Sequence, residues 1–154
     1  MAVGLDIEIK NEYGNYVDKI LASIDLSIYK WDIVAAEILC KGRENSSPPW
    51  LFDTGLMDGN SLKKAISEEI YFLIFADFKA YPLNAKQTHI QTFADFMASE
   101  CELVFMCVDT TYVEIYCKNK DILDLIYNNC EGFNCESIAY VSVEQAKVRT
   151  LVAF

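Results

Sequence analysis

Apolar and charged residues alternate over residues 4–10, GLDIEIK, and place Leu5, Ile7 and Ile9 on one face, as a half-buried strand requires. The period then changes. Tyr13, Tyr16, Val17, Ile20, Leu21 and Ile24 recur at three-to-four spacing and predict a helix capped by Asn11 and ending near Asp25. Residues 29–41, YKWDIVAAEILCK, are rich in β-branched and aromatic residues at their start and run into the turn-forming KGRENSSPP, which favours a strand. Residues 42–60 hold two of the three prolines, three of the six glycines and one of the two tryptophans, the longest irregular segment. A short helix is expected from Ser61 to Glu69, with Leu62, Ala65 and Ile66 inward. IYFLIFADFKAYP follows, almost continuously apolar from Ile70 to Ala76. It reads as a central strand covered on both faces and stopped by Pro82.

Thr92 and Asp95 form a capping-box pattern ahead of a short helix carrying Phe93, Phe96 and Met97 on its apolar face. Two strand-like runs, ELVFMCV and YVEIYCK, then flank the turn at 109–112. A two- or four-residue connection pairs Met106 with Ile115 and Cys107 with Glu114, and makes Cys107 and Cys117 point apart. That is the register expected; a three-residue connection would put both cysteines on one face. Asn119 caps a helix with Ile122, Leu123, Leu125 and Ile126 inward, ending at Gly132. SIAYVSV supplies a clear strand and VRTLVAF a candidate one. The tight turn demands an antiparallel pair, so the fold expected is α+β. It is a single domain over residues 1–154, a mainly antiparallel twisted sheet of about five to six strands carrying three to four helices.

Composition narrows the function classes. Half of the 154 positions are hydrophobic (53%), enough for one substantial core, and no apolar run approaches the ~20 residues of a membrane span. The N-terminus alternates like a strand and has no secretory-signal pattern, so a cytoplasmic protein is expected. Six cysteines without such a signal read as reduced core residues. With 23 acidic and 13 basic residues the formal net charge is −10, which repels nucleic acid and anionic membranes and favours basic partners.

Candidate chemistry is sparse. The spacings of Cys40, Cys101, Cys107, Cys117, Cys130 and Cys135 do not form the paired pattern of a zinc site, so no metal is expected. His89 is the sole histidine, and it lies in a polar linker without a recognisable cysteine nucleophile beside it. Asp109 and Glu114 fit a turn and a strand edge better than an acid–base pair. Neither phosphate-binding glycine motif occurs, and Asp53-Thr54-Gly55 is a single copy of a sequence that aspartic proteases need twice. No catalytic constellation or cofactor site emerges, so the chain reads as non-enzymatic.

What remains is the irregular segment. Trp50, Phe52, Asp53, Leu56 and Met57, with Trp31 nearby, combine aromatic and flexible apolar side chains of the kind enriched at binding surfaces. The alternative is that Trp50 and Phe52 fold back as a lid on the sheet. NEYGNYV, YFLIFADFKAYP and TFADFMASECELVFMCVDTTYVEIYCKNKDILDLIYNN resemble a small Bacillus-type family of unknown function, DUF2691, over most of the chain. The resemblance is weakest in residues 40–60. It implies a bacterial or phage-borne cytoplasmic protein and carries over no functional residues. The expectation is an acidic binding protein that sequesters or inhibits a basic macromolecular partner, in the manner of immunity or defence-inhibiting proteins. A small-molecule or nucleotide-binding module is the alternative, and self-association stays open.

Overall fold

The computed structural model describes residues 1–133 and 135–153 of the chain. Its first half runs β1 (Ala2–Glu8), α1 (Tyr16–Leu21), a 3-10 turn (Leu26–Ile28), β2 (Tyr29–Cys40), β3 (Gly55–Asp58), α2 (Gly59–Glu68) and β4 (Tyr71–Pro82). The second half adds α3 (Phe93–Ala98), β5 (Leu103–Val108), β6 (Tyr112–Cys117), α4 (Lys120–Gly132), β7 (Ser137–Ser142) and α5 (Val143–Ala146). The strands form one seven-stranded sheet in the order β3-β2-β4-β5-β6-β1-β7, antiparallel at each pairing, so the α+β reading holds.

Both faces of the sheet are covered, by different means. On one face α1, α2 and α4 bury Val17, Ile20, Leu62, Ile66, Leu123 and Ile126 against Ile7, Trp31, Phe78, Phe105 and Ile115. The other face is thinner: α3, α5 and the C-terminal segment lay Phe93, Phe96, Ala146 and Leu151 over Tyr81, Val104, Met106 and Tyr116. A buried ion pair anchors that segment. Lys79 Nζ contacts the Asp77 carboxylate and donates to the Leu151 carbonyl at 2.6 Å, while Ala153 N donates to Asp77 Oδ2 at 3.2 Å. Asp77 and Lys79 are 1% and 2% exposed, two charges inside a strand whose sequence looks apolar.

Two of the three caps expected from sequence form. Thr92 and Asp95 make a reciprocal capping box, and the Asn119 side chain accepts from Asp121 N and Ile122 N. The first helix starts later than expected, at Tyr16, and Asn11 does not cap it. Gly14 exchanges two 2.9 Å backbone bonds with Tyr71 and the Tyr13 ring packs edge-on to Phe72, which holds the preceding residues against β4. Residues 148–153 are not a strand. Beyond α5 they run as an irregular strap with one bridge, Thr92↔Thr150, and a 2.8 Å bond from Leu151 N to the Gln91 carbonyl; Phe154 lies outside the described residues.

The hairpin register also differs from expectation. Val108 pairs with Tyr112 across a three-residue connection, so Met106 faces Glu114 and Cys107 faces Val113. Cys107 and Cys117 therefore share the helix-covered face with Phe105 and Ile115. The cause is local: Asp109 and Thr110 adopt φ of 56° and 70°, and Thr110 N donates to the Ile74 carbonyl on β4 at 3.1 Å.

Candidate binding surface

The irregular segment is stitched to β2. Cys40 N donates to the Pro49 carbonyl at 3.1 Å and Leu51 N to the Ile38 carbonyl at 2.9 Å, around a bridge between Leu39 and Trp50. Leu51 is thereby buried, and Phe52 is turned onto Phe78, its ring 5.8 Å away. Gly55, at φ 122°, a conformation that favours glycine, then leads the chain into β3, a strand that the sequence pattern had concealed within the loop.

The β2–β3 register ends at Ile33↔Gly55, and the bonds between loop and β2 resume at Ile38. Between them, residues 34–37 of β2 and the side chains of Trp50, Phe52 and Asp53 line a hollow of about 330 Å³. Val34 sits at a bulge in the β2–β4 ladder and is 47% exposed. Asp53 and Glu37 supply carboxylates to the lining, which contains no lysine or arginine among the described residues. Asp32 lies further along β2, where burial raises its carboxyl pKa against the opposing pull of the Lys79 ammonium.

The six residues singled out from sequence are divided by the sheet. Trp50, Phe52 and Asp53 come together at the hollow. Leu56 pairs with Asp32 and is 58% exposed, whereas Met57 pairs with Trp31 and packs half-buried against the core. Trp31 is 0% exposed and donates its indole N–H to the Leu26 carbonyl at 3.1 Å; it is a core residue and cannot present a binding face. Phe52 folds back over Phe78, as a lid would, while Trp50 and Phe52 remain half-exposed. Val34 and Glu37 were missed, because a bulge that leaves part of a strand edge uncovered has no residue signature.

The remaining chemistry is buried or occupied. All six cysteines are free thiols; burial pushes Cys101, Cys107 and Cys130 up to about 12 and Cys117 up to about 11, and it also raises Cys40 and Cys135. Cys107, Cys117 and Cys130 belong to one core cluster, yet among the described residues no three cysteine, histidine or acidic side chains are grouped to hold a metal. Exposed His89 shares a hollow of about 200 Å³ with Asp32, Lys79 and Thr88, with no cysteine in its lining. No helix among the described residues is long and apolar enough to cross a membrane.

A hollow larger than these two lies on the thinly covered face. Asp6, Glu8, Tyr112, Glu114, Ser137 and Arg149 line a groove of about 610 Å³. Arg149, from the C-terminal strap, donates to both Asp6 oxygens at 2.7 and 2.9 Å and to Glu114 at 3.2 Å. Tyr116 OH donates to Glu114 at 2.6 Å. Sequence reasoning could not assemble this group, since Asp6 and Arg149 are 143 positions apart.

Residues 2–152 match the model of a family described as "Protein of unknown function (DUF2691)", and the chain belongs to that family. A relative in Bacillus subtilis (strain 168), the uncharacterized protein YncE, is 29% identical over 141 residues that cover 92% of each chain. No solved structure matches the chain.

Proposed function

We propose that this DUF2691 member is a non-enzymatic, cytoplasmic binding protein that sequesters or inhibits a basic protein partner, seating an extended segment of it in the Trp50–Phe52 hollow. The observation that carries this reading is the hollow itself, where residues 34–37 of β2 lie beyond the end of β3 beside two half-exposed aromatic rings. A strand edge of that kind offers backbone hydrogen bonds to an added segment, and the neighbouring pocket receives its side chains. Val34 extends the apolar surface, Glu37 and Asp53 border it, and the formal charge of −10 attracts cations from a distance. Charge complementarity therefore favours a basic occupant.

The test is capture on immobilised protein from a Bacillus lysate, followed by native mass spectrometry. The reading expects a stoichiometric basic protein that is released at high salt and is lost from the Trp50→Ala and Phe52→Ala variants. A partner retained equally by both variants, an acidic partner, or no partner overturns it. Small-molecule binding, the alternative class, finds its support in the Arg149 groove on the other face of the sheet.

A further inference from the structure

We infer that the Arg149 groove is a second binding site, independent of the Trp50 surface, and that its ligand is an organic cation bearing an amine or guanidinium on a short apolar stem. The argument begins with the β1–β6 register, which sets Asp6 directly opposite Glu114 and Glu8 opposite Tyr112 on one face. Two carboxylates paired across a ladder repel each other. Arg149 relieves that repulsion by binding Asp6 with both terminal nitrogens and touching Glu114, so this guanidinium is already committed. An anionic ligand would have to displace Asp6 from a two-point contact.

Glu8 has no such cation among its described partners. Its nearest one is Ser137 Oγ, at 3.5 Å. Three carboxylates against one guanidinium leave a formal charge of −2 in the lining. Tyr112, 56% exposed, stands opposite Glu8 and offers a ring face for a cation or its methylene stem. The groove volume of about 610 Å³ falls within the range of small-ligand pockets, ~300–1,000 Å³. A cation entering here would complete at Glu8 the neutralisation that Arg149 provides at Asp6.

Such a group can arrive as a free small molecule or as a side chain of another protein. Two probes separate these sources: agmatine, a free molecule with a guanidinium and an ammonium at the two ends of a butyl stem, and N-acetyl-arginine amide, the blocked side chain. Each is titrated into ¹⁵N-labelled full-length protein while amide shifts are followed. The proposal expects saturable shifts confined to β1, β6 and β7 with at least one probe. Tighter binding of agmatine indicates a free ligand, and tighter binding of blocked arginine a protein side chain. Glu8→Gln and Tyr112→Ala, both at solvent-accessible positions, should each weaken binding by about tenfold. Trp50→Ala should leave it unchanged, so failure of the partner reading and failure of this one are separable. Absence of saturable shifts with both probes, shifts elsewhere on the molecule, or unchanged affinity in a folded Glu8→Gln variant overturns the proposal.

Discussion

At the scale of single residues, the sequence pattern was a good guide to most apolar positions, though Met97 and Leu125, expected on apolar helix faces, are 53% and 49% exposed, and it was a poor guide to buried charge. Asp77 and Lys79 sit in a run whose neighbours are buried aromatics and alanines, and only their shared strap explains them. Lys79 contacts Asp77 and Leu151, and Asp77 in turn accepts from Ala153. Removing one partner strands the other charge, so Lys79→Met should lower unfolding free energy by about 3–5 kcal/mol in urea titrations. The double variant Asp77→Leu/Lys79→Met should recover most of that loss, because the low-dielectric cost disappears with both charges. The cysteines teach the opposite lesson, since their reading as reduced core residues, from their spacing, the missing secretory signal and the burial preference of free cysteine, agrees with five buried thiols. Cys135, the partly exposed one, should be the thiol that a disulfide reagent modifies in native protein at pH 8, and all six should react in denaturant. Trp31 was legible as aromatic but not as buried. Its partner, the Leu26 carbonyl, is supplied by a 3-10 turn that no periodicity announced.

At the scale of elements, most strands and the helices capped by Thr92 and Asn119 were found at nearly their true bounds, whereas the start of the first helix, the hairpin register and the short edge strand were not. Moving the β5–β6 connection by one residue exchanges every inward and outward side chain, and apolar residues on both faces of these strands left the sequence nothing with which to choose. The choice is made by a turn that holds Thr110 at φ 70°, a conformation disfavoured for a β-branched residue. Thr110→Gly should therefore stabilise the protein by about 1 kcal/mol without altering the register, measurable as a shift in the urea midpoint. β3 was hidden for a different reason: four residues that are mostly exposed carry no apolar rhythm. The junction after it is tighter than its sequence suggests. A Cβ on Gly59, at the start of α2, would lie 1.8 Å from the Leu26 carbonyl oxygen, so the helix could not keep its place against the 3-10 turn. Gly59→Ala should cost about 1–3 kcal/mol, and thermal unfolding should show it as a lowered Tm.

At the scale of the whole molecule, charge acts in two opposing senses as pH falls. The formal charge of −10 at pH 7 destabilises the compact state through self-repulsion, which fades toward the isoelectric point near 4.5. Acidification from pH 7 to about 5 is therefore expected to cost little stability or to add some. Below that range the caps dominate. Hydrogen bonds from the backbone and Ser61 hold Asp58 below the usual carboxylate range, and those from Gln91 and Thr92 do the same for Asp95. A carboxylate whose folded pKa is depressed stabilises the fold above its unfolded value, about 3.9 for aspartate, and loses that contribution as pH falls through the folded value. Asparagine caps helices about as well as aspartate without titrating, so it can replace Asp58 at the N-cap of α2, and its amide oxygen can accept the Gln91 and Thr92 N–H bonds that Asp95 takes at the third position of α3. The double variant Asp58→Asn/Asp95→Asn should consequently unfold near the wild-type urea midpoint at pH 7 and lose less stability than wild type between about pH 5 and pH 2. An equally steep acid limb in the variant would place the acid sensitivity in other groups. The same variant retains Glu37, Asp53 and the Asp6–Glu114–Arg149 network, so capture of a basic partner and binding of a cation in the groove should both survive it. The proposed recognition sites and the helix caps use different carboxylates, so their contributions to binding and to stability can be separated in a single protein.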